Sequence, residues 1–92
     1  MLFMSTYTFE PGQRNEVIRR RLEKGTGAPE GVKIIGEWFY LGGQKGFMLF
    51  EAHDPKVMVA MTMAWSDLMK FDTVPVMEID EVLELATSKV KS

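Results

Sequence analysis

Apolar residues recur along this chain in two periods, one typical of strands and the other of helices. Four segments rich in aromatic and β-branched residues and bounded by turn residues are predicted as strands, at residues 2–9, 32–41, 47–52 and 71–79. Val17, Ile18 and Leu22 recur at helical spacing after the first strand, and a second helical pattern follows the third. This order predicts an α+β fold: a ferredoxin-like βαββαβ unit with a four-stranded antiparallel sheet and both helices on one face.

Capping and turn residues mark where these elements begin and end. Residues 25–27 close the first helix with glycines suited to a positive φ angle, and the glycine-rich segment 42–46 forms a hairpin. Asp54-Pro55 begins the second helix, because aspartate caps a helix and proline needs no backbone donor there. That helix is predicted to run to about residue 70. Pro75 favours an edge position for the fourth strand, since proline cannot donate to a ladder.

A short C-terminal helix is predicted after the fourth strand. Asp80 can cap it, and the apolar residues of its stripe are Val82, Leu83, Leu85, Ala86 and Val90. Val59 and Met63 lie on the side of the second helix where a solvated helix is polar. We therefore expect the C-terminal helix to pack on these two residues or on a partner subunit.

The predicted strands are apolar on both faces. Leu2 and Met4 alternate with Phe3 and Tyr7, and the second strand places Ile34 and Trp38 opposite Ile35 and Phe39. A sheet with one solvated face would alternate apolar with polar residues. Because helices cover only one face, the other is expected to meet a second copy, giving a homodimer through the sheet face.

Composition narrows the function classes. The 92 residues form a single domain, 1–92, with net charge −2 and a pI near 5.4, which argues against a nucleic-acid binder. Arg19 and Arg20 project outwards with Glu16 and Glu23 within pairing distance, as on a solvated helix face. The absence of cysteine excludes disulfides and thiolate metal sites. No signal peptide or membrane span is predicted, so a cytoplasmic protein is expected.

His53 and Tyr7 are the candidate acid/base residues. His53 is the only histidine and shares strand parity with Glu51, whose carboxylate could orient it as a general base. The alternative is that His53 only occupies the corner beside the Asp54 cap. A metal site from this cluster is disfavoured, because Asp54 is explained as a cap and alternation points it away from Glu51. No metal and no cofactor are predicted.

A small apolar pocket is the second candidate site. Tyr7, Trp38, Met61 and Trp65 could line it, with Glu51, His53 and Arg21 as its polar contacts. Arg21 projects within the apolar arc of the first helix. It either extends along the sheet edge with its charge in water or binds an anion or carboxylate ligand. The alternative for the aromatic and methionine residues is a closed core.

Several landmarks resemble a known family. They are Pro29-Glu30-Gly31-Val32-Lys33, Gly36-Glu37-Trp38, Gly46-Phe47, Glu51-Ala52-His53-Asp54-Pro55, Trp65-Ser66-Asp67-Leu68, Phe71 and Pro75-Val76. Together they resemble a domain-of-unknown-function family of short proteins in the dimeric α/β-barrel group. The resemblance covers nearly the whole chain. The wider group includes cofactor-free monooxygenases, haem-handling proteins, isomerases and dechlorinating enzymes, so the resemblance implies a fold and a dimer, not one reaction.

Three functional hypotheses follow. The first is a protein that binds a small apolar or aromatic molecule in a cavity between helices and sheet. The second is a cofactor-free monooxygenase or isomerase that uses His53 or Tyr7 as its acid/base group. The third is a structural or regulatory dimer without a ligand.

Overall fold

A computed structural model describes residues 1–91 and confirms the predicted order of elements. Strand β1 leads through one 3-10 turn, Pro11–Gln13, into helix α1, and the remaining elements follow in the ferredoxin-like order. Their bounds are β1 Leu2–Thr8, α1 Arg14–Lys24, β2 Val32–Phe39, β3 Lys45–Ala52, α2 Lys56–Met63, β4 Lys70–Val76 and α3 Ile79–Lys91. No helix among the described residues is long and apolar enough to cross a membrane.

The sheet has the strand order β2-β3-β1-β4, and every neighbouring pair is antiparallel. Strand β4 is an edge strand, as Pro75 predicts, and pairs only with β1. Helices α1 and α2 pack on the sheet face that carries the odd residues of β1 and the even residues of β3. Two neighbouring clusters form the core there, one around Phe50 and one around Trp65.

A β-bulge in β2 changes which residues face the helices. Ile34 pairs with Phe50 and Gly36 pairs with Leu49, so Ile35 is an extra residue in the ladder. Beyond the bulge, Glu37 lies on the helix side opposite Met48. The predicted uninterrupted alternation of β2 is therefore wrong from Ile35 onwards.

The bulge also determines on which face of the sheet Trp38 lies. Trp38 lies opposite Phe47 on the sheet face away from the helices, called here the open face, with the two ring centroids 5.3 Å apart. Its ring covers Gly36, where a Cβ atom would overlap it. Trp38 is 49% exposed. The centre of the open face is apolar on the neighbouring strands as well, where Met4, Leu49 and Val74 lie side by side, whereas Thr6 and Asp72 are polar neighbours on the same face.

Helix α2 begins as predicted and ends earlier. The Asp54 side chain accepts a hydrogen bond from the Lys56 N–H at 2.9 Å, which confirms its capping role. The helix ends at Met63 instead of near residue 70, and turns occupy residues 64–68. The Trp65 indole N–H donates to the Thr26 carbonyl at 2.8 Å and fixes this turn region against the end of α1.

Helix α3 does not cover the outer side of α2. Val59 is 59% exposed and Met63 is 71% exposed, and α3 is exposed through residue 89. The intrachain packing expected for the C-terminal helix is therefore wrong, since Val59, Met63 and the described apolar residues of α3 are all exposed in the single chain. Packing on a partner subunit stays a prediction.

Candidate ligand-binding cavity

A cavity of about 440 Å³ lies between α1, the end of α2 and the helix side of the sheet. Each of these elements contributes apolar side chains to its wall. The residues that form the deeper wall are Phe9, Val17, Met48, Met61, Trp65 and Phe71. Since a volume of this size falls in the range of small-molecule sites, the space suits a compact apolar ligand.

The mouth of the cavity opens between α1 and the edge strand β2. Ile18 and Leu22 of α1 lie on one side of it and Phe39 of β2 on the other. All three are well exposed, Leu22 to 82%. Because no further strand of residues 1–91 lies beyond β2, these apolar side chains form an uncovered rim.

One polar cluster interrupts the apolar wall. The Tyr7 hydroxyl donates to Glu37 Oε2 at 2.7 Å, and Arg21 Nη1 donates to the same oxygen at 3.0 Å. Arg21 Nη2 donates to Glu37 Oε1, which makes the guanidinium–carboxylate contact bidentate. Arg21 and Glu37 are the only charged side chains that line the cavity in the described part of the chain. Their charges compensate each other.

Local sequence features explain how these three side chains meet. The β2 bulge places Glu37 on the helix side, and Arg21 faces the sheet because it lies one turn from Val17 on α1. Tyr7 reaches across the sheet because its direct neighbour on β3 is Gly46. A Cβ atom at position 46 would overlap the tyrosine ring and hydroxyl.

The cluster fixes the protonation states of its members. Burial raises the pKa of Tyr7, and the hydrogen bond to Glu37 and the negative charge of that residue raise it further, so the phenol keeps its proton. Burial alone would raise the pKa of Glu37. The hydrogen bonds from Arg21 and Tyr7 and the charge of Arg21 together outweigh burial and lower the pKa. Tyr7 is therefore a hydrogen-bond donor and Glu37 a carboxylate.

A second set of contacts supports the Trp65 wall from outside. Arg20 forms a bidentate ion pair with Asp67 and also donates to the Ala64 carbonyl at 3.1 Å. Its guanidinium lies 5.7 Å from the centre of the Trp65 ring. Arg19 pairs with Glu16 and Glu23 along the helix, as predicted. Thus Arg20 links α1 to the turn after α2, which holds two walls of the cavity together.

The structure brings four of the seven predicted site residues together. Tyr7, Arg21, Met61 and Trp65 all line the cavity. Trp38 and Glu51 lie on the open face, the first because of the bulge and the second because its neighbour Ala52 is turned to the core. His53 is exposed at the corner between β3 and α2. These last three side chains do not line the cavity.

Glu37 is the site residue that the sequence analysis missed. It stands between Gly36 and Trp38 in a strand whose other charged residue is Lys33, and an acid among the apolar residues of a strand is a signal for a paired, half-buried charge. Glu37 faces the helices only because of the bulge at Ile35. A strand with uninterrupted alternation gives no reason to place Glu37 beside Tyr7. Among residues 1–91, no three side chains of the metal-ligating types come together.

Comparisons with known proteins give a family and several structural likenesses. The family model described as "Domain of unknown function (DUF3303)" matches residues 1–90. A solved structure described as an uncharacterised NIPSNAP domain protein from Burkholderia xenovorans is similar at 14% sequence identity, covering 84% of this chain and 95% of that one with a TM-score of 0.49. No curated protein matches the chain.

Proposed function

The chain belongs to the DUF3303 family, a domain of unknown function, and we propose that it binds a small apolar or aromatic molecule in the cavity between α1, α2 and the sheet. One observation carries the proposal: a mainly apolar space of about 440 Å³ whose wall holds one charged cluster, Tyr7, Arg21 and Glu37, and one further polar residue, Thr26. Ligand sites combine these same features, an apolar lining for affinity and a few placed polar groups for orientation.

The uncovered rim supports this proposal. Ile18, Leu22 and Phe39 border the mouth and are exposed in the single chain. A ligand seated in the cavity would remove part of this apolar surface from water, with a gain of roughly 25 cal/mol for each Å² buried. The methionines Met48, Met61 and Met69 add an adaptable lining, since their unbranched side chains adjust to different ligand shapes.

The described residues give less support to the alternative of an enzyme with an acid/base group. A cofactor-free monooxygenase or isomerase needs a base beside its ligand. His53 lies outside the cavity, and Tyr7 is inside it but keeps its proton. The arrangement therefore favours hydrogen-bond donation by Tyr7 over proton abstraction.

We also propose that a second copy of the chain covers the open face. The central residues of this face are apolar, and they include Met4, Leu49 and Val74 in one row across three strands. Val74 is 45% exposed in the single chain. An apolar centre of a sheet face is typical of a subunit interface, and a two-fold axis would cover both copies at once. The cavity lies on the other side of the sheet and stays accessible in such a dimer.

Binding of naphthalene, followed by equilibrium dialysis, tests the ligand proposal. Val17 is buried in the cavity wall, so Val17→Phe places a ring in the space that the ligand would occupy. Val59→Phe makes the same change on the exposed side of α2 and serves as the control. We expect one naphthalene per chain for the native protein and Val59→Phe, and at least tenfold weaker binding for Val17→Phe.

Two results would contradict the proposal. One is no binding of naphthalene to the native protein. The other is equal affinity of the native protein and Val17→Phe, provided that this variant unfolds cooperatively and therefore retains its structure.

A further inference from the structure

Resting on the proposed function, we infer that the cavity selects a neutral aromatic molecule that carries a hydroxyl or carbonyl oxygen and rejects the corresponding aromatic carboxylate. Glu37 is the residue that sets this preference. Glu37 already forms an ion pair with Arg21, the only cation of the cavity wall within residues 1–91. Arg21 is therefore not available as a counter-charge for an anionic ligand.

The charge balance of the wall is the first step. Arg21 donates to both oxygens of Glu37, and Tyr7 donates to one of them. The side chain of Glu37 is only 17% exposed, whereas that of Arg21 is 39% exposed. The carboxylate is therefore the inner partner of the pair, held from two sides. The site as a whole is neutral before any ligand enters.

The hydrogen-bonding groups that stay available form the second step. A guanidinium carries five N–H donors, and the two contacts with Glu37 leave three for a ligand. The Tyr7 oxygen donates its proton to Glu37 and keeps lone pairs that can accept one. The Trp65 N–H is committed to the Thr26 carbonyl. A ligand oxygen beside this cluster can thus accept from Arg21, and a ligand hydroxyl can also donate to Tyr7.

A ligand with an ionised carboxylate interacts less favourably with this cluster. To bind Arg21 alone it must displace Glu37, which would leave a mostly buried carboxylate without its partner. To share Arg21 it must lie beside the negative charge of Glu37 in surroundings that are otherwise apolar. Both arrangements are unfavourable, whereas a neutral oxygen meets neither penalty. Glu37 is the repulsive element that discriminates between the two ligand classes.

Three probes of the same ring size separate these effects. Naphthalene reports the cavity alone, 2-naphthol adds a neutral hydroxyl, and 2-naphthoate adds an ionised carboxylate at neutral pH. For the native protein we expect 2-naphthol to bind more tightly than naphthalene and at least tenfold more tightly than 2-naphthoate. This comparison needs no variant.

Glu37→Gln tests the assigned cause. The amide keeps the size and an acceptor for Arg21 and Tyr7 but removes the negative charge, so Arg21 becomes uncompensated. We expect the affinity for 2-naphthoate to rise at least tenfold and the affinity for naphthalene to stay unchanged. Glu30→Gln removes an exposed carboxyl from the turn before β2, outside the cavity and the open face, and should change neither affinity.

The outcomes separate the two proposals. If naphthalene fails to bind the native protein, the proposed function is wrong and this inference, which depends on it, is wrong as well. If naphthalene binds but 2-naphthoate binds as tightly as 2-naphthol, the selectivity is wrong and the ligand-binding function stands. An unchanged affinity of folded Glu37→Gln for 2-naphthoate would likewise overturn the role of Glu37.

Discussion

Glu37 is half of an ion pair and also the acceptor that fixes Tyr7, so one carboxylate organises the whole polar wall of the cavity. Arg21 could be singled out from the sequence, because helical projection places it within the apolar arc of α1, whereas strand parity set Tyr7 opposite Leu2 and Met4 without showing which face meets the helices. Glu37 could not be placed in the same way, and neither could Trp38. Their directions depend on an extra residue at Ile35, and an irregularity of one residue leaves no periodic signal in so short a strand.

The stability of the protein should depend on pH through Glu37. Because the pKa of Glu37 is lower in the folded chain than its ordinary value of 4.5, the folded state holds this carboxyl's proton less strongly than the unfolded state. Its contribution to the free energy of unfolding is therefore fully present above pH 4.5 and is lost as the pH falls through the lower folded value.

Urea unfolding of the native protein and Glu37→Gln as a function of pH measures this contribution. The native protein should be more stable near neutral pH, and the difference should shrink as the solution is acidified. Glu30→Gln gives the change that follows from removing a surface carboxyl. A difference between the native protein and Glu37→Gln that stays constant with pH would show that the charge of Glu37 does not stabilise the fold.

At the scale of elements, the order of strands and helices and the start of α2 were predictable, and the end of α2 was not. The predicted boundary between β4 and α3 was also wrong: β4 ends at Val76, and Asp80, predicted to cap α3, lies in the first turn of that helix. Asp54 marks the start of α2 by a local hydrogen bond that needs only neighbouring residues. Residues 64–68 continue the helical spacing of apolar residues but form turns. The contact that fixes them runs from Trp65 to Thr26, 39 residues away in the chain. The local spacing of apolar residues gives no information about a contact between residues so far apart in the chain.

The β1–β3 pair carries a glycine that is required for the site. Gly46→Ala places a Cβ atom where the Tyr7 ring and hydroxyl lie, so the tyrosine must move or the strands must shift. We expect a loss of about 1–3 kcal/mol in the free energy of unfolding, the usual cost of overpacking a filled site. Binding of 2-naphthol should weaken with it.

Gly42→Ala is the matched control for this substitution. Gly42 lies in the same hairpin, with no atom within 4 Å of the position that a Cβ would occupy. Its substitution should leave both unfolding and binding nearly unchanged, as measured by urea titration and equilibrium dialysis. Equal losses for the two variants would mean that the Tyr7–Gly46 contact is not what makes position 46 sensitive.

As a whole molecule, the chain is elongated, with principal extents of 54 × 30 × 17 Å over the described residues. Besides the cavity rim and the outer side of α2, the single chain leaves the apolar centre of the open face uncovered, together with the stripe of α3, which includes Leu83 and Leu85. The two-faced strand pattern predicts that one sheet face meets a partner, and this stays a prediction. The direction in which α3 leaves the sheet is a tertiary property that its amphipathic pattern does not encode.

Assembly through the open face should be sensitive to one charge at its centre. Leu49 lies on the open face between Met4 and Gly36, so Leu49→Glu places a carboxylate in the proposed interface. We expect a dimer for the native protein and a monomer for this variant in sedimentation velocity, because an unpaired charge is costly in an apolar interface. Val59→Glu, on the exposed side of α2, should stay dimeric. A native monomer would rule out the interface.

The central claim, a ligand cavity between α1, α2 and the sheet, is tested most directly by NMR of isotope-labelled methionine methyl groups during titration with naphthalene. Met48, Met61 and Met69 line the cavity, whereas Met63 on the same helix as Met61 is exposed on its other side. Ring currents from a bound aromatic should shift the three cavity methyls together with one saturation curve and leave Met63 unmoved. Shifts at Met63 without shifts at the cavity methyls, or no shifts at all, would contradict the account.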